Sequence, residues 1–240
     1  PAGHLDGPRW RADEHEVHRW CRLLRWYDVP ADPADLHLRR PAGVEVPAGT
    51  TIVHPGGKDP RRRWSPDRFA EVARELARSG HRVVVTGADD ERDLARRVAG
   101  RAGLPADAVL AGRQSLAELA ALVASARLVV SADTGVAHLA TGYRTPSVVL
   151  FGPVPPRHWG PPPDRPWHRP IWKPDPPPGW PDPAGPPGSA ESPGSAWPAG
   201  PAHPRPALAA ITVADVLRAA EQAERAARDA AVGRLVQGRP

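Results

Sequence analysis

Apolar residues first fall at helical spacing over residues 13–26, where Val17, Trp20, Cys21 and Leu24 share one side and Asp13 and Glu16 form a capping pair. Residues 28–49 lose that period and are rich in Pro, Asp and Gly, as a connection between domains would be. From Thr50 onward short apolar runs alternate with longer amphipathic ones. Residues 51–54 and 81–86 read as strands, and 65–79 and 90–101 as helices. The first of these helices opens with Ser65 as N-cap and Pro66 at its first position, and places Phe69, Val72, Ala73 and Leu76 on one face. A short run at 108–110 leads to a capping box, Ser115 to Glu118, whose helix is expected to bury Leu116, Leu119, Ala120 and Val123. Residues 127–131 and 147–151 are further strands around a short helix at 134–141. Right-handed crossovers between such units predict an α/β fold, a Rossmann-like doubly wound parallel sheet.

After Phe151 the pattern breaks, because 21 of the 33 prolines lie between Pro153 and Pro206. Proline removes a donor from any ladder, so this stretch predicts neither strand nor helix, and residues 161–206 read as a flexible Pro/Gly-rich insertion. Periodicity returns near Ile211, where Thr212 caps a helix carrying Val213, Val216, Leu217 and Ala220. The expected organisation is a remnant domain and linker at 1–49, a Rossmann-like domain at 50–160, the insertion, and a closing helix within 207–240.

Composition narrows the function classes. The core is aliphatic, with two Phe and two Tyr in 240 residues. A single cysteine, Cys21, leaves no internal disulfide and no cluster for a zinc site, so a reducing, cytoplasmic setting is favoured. No apolar run approaches the ~20 residues that cross a bilayer. The formal charge of +5 suits an anionic ligand, but it is spread along the chain and does not indicate nucleic acid. It is compatible with loose peripheral contact with anionic lipid. The chain holds no methionine and starts as if inside another element, which predicts a fragment.

In open α/β sheets ligands bind beyond the carboxyl ends of the strands. After the first strand, Gly56 and Gly57 permit close backbone approach while Lys58 and Arg61 to Arg63 add positive charge, which fits either a phosphate turn or a solvated basic loop. After 127–131, Thr134 and Gly135 open a helix whose free amides attract anions. Asp133 is placed to accept from sugar hydroxyls or to act as a cap, and His138 shares a helical face with Thr134. After 81–86, Asp89 lies where such domains place a carboxylate near a ribose, although a helix cap reads equally well.

Together these segments resemble the donor-binding domain of the heptosyltransferase family, glycosyltransferase family 9, over about residues 50–159. The likeness rests on five motifs. They are the His54-Pro-Gly turn with basic residues before Trp64, the Thr86-Gly87 strand end with its acidic residues, the Gly112-Arg-Gln-Ser-Leu116 helix entry, the Asp133-Thr-Gly-Val-Ala-His-Leu-Ala140 helix and the Phe151-Gly-Pro153 turn. The resemblance implies the C-terminal half of a GT-B enzyme that transfers a heptose-like sugar from a nucleotide diphosphate sugar to a glycan or small-molecule hydroxyl, with inversion and without metal or other cofactor. It assigns Gly56, Gly57 and Arg62 to the phosphates, Asp89 to the ribose, and Asp133, Thr134, Gly135 and His138 to the pyrophosphate and sugar. It also implies that the general base belongs to an N-terminal domain that this chain nearly lacks. A non-catalytic nucleotide-sugar-binding module and a proline-rich interaction protein are the competing readings; acceptor transfer and nucleotide binding separate the three.

Overall fold

The computed structural model describes residues 7–58, 63–152, 154–173 and 208–236. Five strands, β1 (Thr50–His54), β2 (Arg82–Val85), β3 (Leu128–Ala132), β4 (Ser147–Leu150) and β5 (His168–Ile171), form one sheet in the order β2-β1-β3-β4-β5. All four pairings are parallel. The chain runs outward in both directions from the β1–β3 pair, so the topological switch point lies between those two strands.

Alternation along the strands explains why the central strands are buried on both sides. Val53, Val83, Val85, Leu128, Val130, Val148 and Leu150 point to one face and pack with α2 (Pro66–Arg78), α3 (Arg92–Ala102) and α7 (Val213–Val236). Ile52, Val84 and Val129 point to the other and meet α4 (Leu116–Ser125) and α5 (Gly135–Tyr143). Each fully buried side chain of this size contributes about 1.5–3 kcal/mol relative to exposure, and Ile52, Phe69, Val72 and Leu128 are all completely buried. The face expected of α2, comprising Phe69, Val72, Ala73 and Leu76, is the one that is buried.

Three expectations from the pattern differ from the structure. The first helix, α1 (Glu16–Trp26), starts later and is capped by His15, whose Nδ1 accepts from the Val17 amide at 3.2 Å. It buries Arg19 and Cys21, while Trp20 and Leu24 are exposed. The reason is that α1 packs chiefly on a short helix, α6 (Pro156–Trp159), and Arg19 is held by the carbonyls of Arg11 and Glu14 and by the Trp10 ring. Leu116 is 74% exposed, because α4 turns Ala120, Ala121, Leu122 and Val123 inward instead. Finally, the sheet does not end at residue 160: β5 pairs with β4 inside the stretch expected to be an insertion. Its Pro170 is tolerated because, among the described residues, β5 is the edge strand of the sheet. Residues 174–206 of that stretch lie outside the described residues.

The closing helix α7 is tied back as its sequence predicts. Thr212 Oγ1 accepts from the Asp215 amide at 3.1 Å and Asp215 Oδ2 accepts from the Thr212 amide at 3.0 Å, a reciprocal cap. Lys173 Nζ adds a 2.6 Å ion pair to Asp215, and its charge and the backbone amide hold that carboxyl far below the ordinary range.

Candidate functional site

The carboxyl ends of β1, β2 and β3 converge on one edge. His54 ends β1 and is register-paired with Ser131 of β3. Its Nδ1 lies 3.0 Å from Thr86 Oγ1, which follows β2. The ring is buried, and that burial lowers its pKa against the opposing pull of the Glu91 carboxylate, so His54 is a neutral structural bridge between the loops.

Next comes the Pro55-Gly56-Gly57 turn. Glu91 reaches across from the loop after β2, accepting the Gly57 amide on Oε1 at 2.6 Å and the Ala88 amide on Oε2 at 2.9 Å. A Cβ built on Gly56 would overlap the Glu91 carboxyl group, so a larger residue here would have to push that carboxylate aside. On the other side Arg63 Nε donates to the Gly57 carbonyl at 2.7 Å. A Cβ at Gly57 would lie 3.4 Å from the Thr134 methyl, so the turn covers the start of α5.

Thr134 is the N-cap of α5, yet its side chain makes no capping hydrogen bond. Its Oγ1 and the Ser131 Oγ are both buried without a hydrogen-bond partner among the described residues. Buried hydroxyls are normally paired, so two orphans at the end of β3 leave hydrogen-bonding capacity unused there among the described residues. Asp133 is 4% exposed, its amide bonded to the Leu150 carbonyl at 3.1 Å. Gly135 is exposed at the first turn of α5, and His138 is exposed three residues on. The free amides and dipole of this helix end favour an anion.

The residues singled out from sequence are thus partly assembled. Gly56, Gly57, Asp133, Thr134 and Gly135 come together at the β1–β3 switch point, with His138 along α5. Asp89 makes no hydrogen bond or ion pair with them among the described residues: its carboxylate is mostly exposed, paired with Arg92 and packed against Gly112. Arg62 lies outside the described residues. Sequence reasoning missed Glu91 and Ser131. A carboxylate three residues after a turn amide was the available signal for Glu91, since Ala88 and Glu91 have capping-box spacing; nothing in the sequence marked Ser131. Among the described residues no group of three or more His, Cys, Asp or Glu side chains is arranged to hold a metal ion.

The sequence pattern of glycosyltransferase family 9 (heptosyltransferase) matches residues 10–169. Lipopolysaccharide heptosyltransferase 1 of Pseudomonas aeruginosa is 33% identical over 154 residues, which cover 61% of this chain and 42% of that protein. Lipopolysaccharide heptosyltransferase 3 of Escherichia coli is 32% identical over 103 residues, covering 42% and 30%. Among solved structures, a family 9 glycosyl transferase from Veillonella parvula superposes with TM-score 0.56 at 22% identity, over 70% of this chain and 51% of that one. The E. coli heptosyltransferase WaaC with ADP gives TM-score 0.53 at 23% identity, over 67% and 51%. This chain spans less than half the length of the curated relatives named. With the family pattern matched across most of the sequence and the same Rossmann-like sheet underneath, the chain belongs to glycosyltransferase family 9, the heptosyltransferases.

Proposed function

We propose that this chain binds the nucleoside diphosphate end of a sugar donor, ADP-heptose or a close analogue, across the β1–β3 switch point, and supplies the donor half of an inverting transfer that needs no metal. The observation that carries the reading is the pair of buried hydroxyls without a partner among the described residues, Ser131 near the end of β3 and Thr134 at the N-cap of α5 against the glycine turn. On this reading the pyrophosphate lies between the Gly56-Gly57 turn and the amides of Thr134 and Gly135. Charge accumulates on the leaving diphosphate as the glycosidic bond breaks, and preorganised amides and hydroxyls oppose it without reorganising. Asp89, exposed at the end of the β2 loop, faces the ribose, and Asp133 and His138 orient the sugar. The acceptor hydroxyl, a glycan or small molecule, and the base that deprotonates it are supplied from outside this chain.

Donor binding and transfer are therefore separate tests. Calorimetric titration of the purified chain with ADP and with ADP-heptose is expected to give saturable binding that Asp133→Ala weakens. No binding to either by the folded protein would sink the assignment. Transfer assays with the chain alone are expected to show donor bound and no product; product formed by this chain alone would require an acceptor site and a base within it.

A further inference from the structure

The far end of α5 carries an open cavity of about 290 Å3 lined by Ala34, Asp35, His37, Arg144 and Arg165. Arg144 and Arg165 come just before β4 and β5, so the cavity lies at the amino ends of those strands, away from the carboxyl ends where the donor is proposed to bind. The nine residues of α5 separate the two places by about 14 Å. The segment after α1 is fixed to α5 here. Arg165 donates to the carbonyls of Thr141 and Ala34, the Leu38 amide to the Gly142 carbonyl, and the Tyr143 hydroxyl to the Arg39 carbonyl. Arg144 closes α5 in the left-handed backbone region, φ 58°, where glycine is the usual residue. Its amide does the capping, bonding back to Ala140 and Thr141, while its exposed guanidinium has neither hydrogen bond nor ion pair among the described residues.

We infer that this cavity is a second anion site, for a phosphate ester on a small polyol: a sugar phosphate or glycerol phosphate, free or as a lipid headgroup. A strained backbone that delivers an uncommitted cation beside a second, fixed cation is a cost the fold alone does not require. Two guanidinium groups suit the geometry and charge of a phosphate, and Arg165 keeps N–H donors beyond the two it gives to carbonyls. Asp35 is the one carboxylate on the lining. It disfavours a bare phosphate and favours a ligand that brings its own donor, so the polyol hydroxyl is assigned to it. The volume is at the small end of the ~300–1,000 Å3 range of ligand sites, which suits one polyol unit rather than a nucleotide sugar. No residue is shared with the proposed donor site, so the two readings stand or fall separately.

Glycerol 3-phosphate and inorganic phosphate are titrated by calorimetry into wild type, Arg144→Gly, Asp35→Ala and, as a charge control, Arg225→Ala, which removes an exposed arginine of α7. Wild type is expected to prefer glycerol 3-phosphate. Arg144→Gly is expected to weaken both ligands about tenfold or more while melting at or above the wild-type temperature, since glycine relieves the left-handed backbone. Asp35→Ala is expected to lose the preference for glycerol 3-phosphate, and Arg225→Ala to behave as wild type. Cosedimentation with phosphatidylglycerol vesicles, against phosphatidylcholine vesicles, then identifies the source. Vesicle binding lost in Arg144→Gly and kept in Arg225→Ala supports a lipid headgroup; binding of the soluble ester without the vesicles supports a free polyol phosphate. Equal binding by Arg144→Gly and wild type, or no binding of either probe by the folded wild type, would overturn the proposal. So would a clear drop in melting temperature for Arg144→Gly, which would make the side chain a structural one. An Asp35→Ala protein with an unchanged preference would overturn the polyol assignment.

Discussion

Ser147 Oγ and His168 Nδ1 lie 2.8 Å apart across the paired strands β4 and β5, both buried and in register. The other ring nitrogen, Nε2, is buried without a hydrogen-bond partner among the described residues. Burial, with a smaller contribution from Arg165, pushes the pKa of His168 down to about 4. An unfolded chain protonates histidine near 6.5. Between those values the unfolded state binds a proton that the folded state refuses, so stability falls as pH drops from about 6.5 toward 4 and is unaffected above about 7, a loss of up to about 3 kcal/mol.

Urea melts from pH 7.5 to 4.5 check this. His54, also shifted downward by burial, acts with the same sign, so His168→Gln is expected to reduce the slope of stability against pH rather than abolish it. An unchanged slope would show that His168 takes its proton while folded. Asp215 works in a different window: its lowered pKa contributes stability above the ordinary carboxylate value that is lost only in stronger acid.

The clasp between α2 and the start of α7 supports a second prediction. Trp64 is buried against Phe69, their centroids 5.1 Å apart in an edge-on arrangement, and its indole donates to the Ile211 carbonyl at 3.2 Å. Arg68 adds a 2.7 Å bond to the same carbonyl. Ile211 itself is completely buried. Ile211→Ala is expected to cost about 2–5 kcal/mol through the cavity it leaves, measured by equilibrium unfolding. A loss below about 1 kcal/mol would mean that the closing helix is not part of the cooperative core.

The capping box at α4 isolates a smaller effect. Ser115 Oγ accepts the Glu118 amide at 3.2 Å, and Glu118 Oε2 accepts from the Ser115 amide at 2.7 Å, which lowers the pKa of that carboxyl. Ser115→Ala is expected to cost about 1 kcal/mol, with hydrogen exchange accelerating in the first turn of α4 before the rest of the domain. Leu116→Ala, one residue on at a 74% exposed site, is expected to change stability little.

These contrasts show what the sequence could and could not disclose. The β1, β3 and β4 runs and the α2 stripe were legible because a strand or helix buried in the middle of a sheet must carry an uninterrupted apolar signal. β5 was hidden because an edge strand needs only one hydrogen-bonded side, so His168–Ile171 tolerates a proline and a composition that reads as loop. Arg19 was unreadable for another reason: its burial depends on backbone carbonyls and the ring of Trp10, which no periodicity reports. At the site, the glycine turn and the α5 entry stood out because their residue types are demanded by close approach and helix capping. Which of Asp89 and Glu91 reaches the glycine turn did not, since two carboxylates two residues apart in a turn differ only in where the backbone aims them.

Thr134 separates a structural from a ligand-directed role. Its Oγ1 is buried and makes no hydrogen bond among the described residues, so the folded protein already bears the cost of a desolvated hydroxyl, about 1–3 kcal/mol. Thr134→Val keeps the shape and removes that group. If the hydroxyl were structural, the variant would be destabilised; if it is reserved for ligand, the unliganded variant melts at the wild-type temperature or above it. Affinity is then expected to move the opposite way, with ADP binding about three- to tenfold weaker for want of one hydrogen bond. Thermal melts with and without ADP read both quantities in one series. A variant less stable than wild type yet equal in its ADP-induced shift would return Thr134 to the core and leave the anion site to the backbone amides alone.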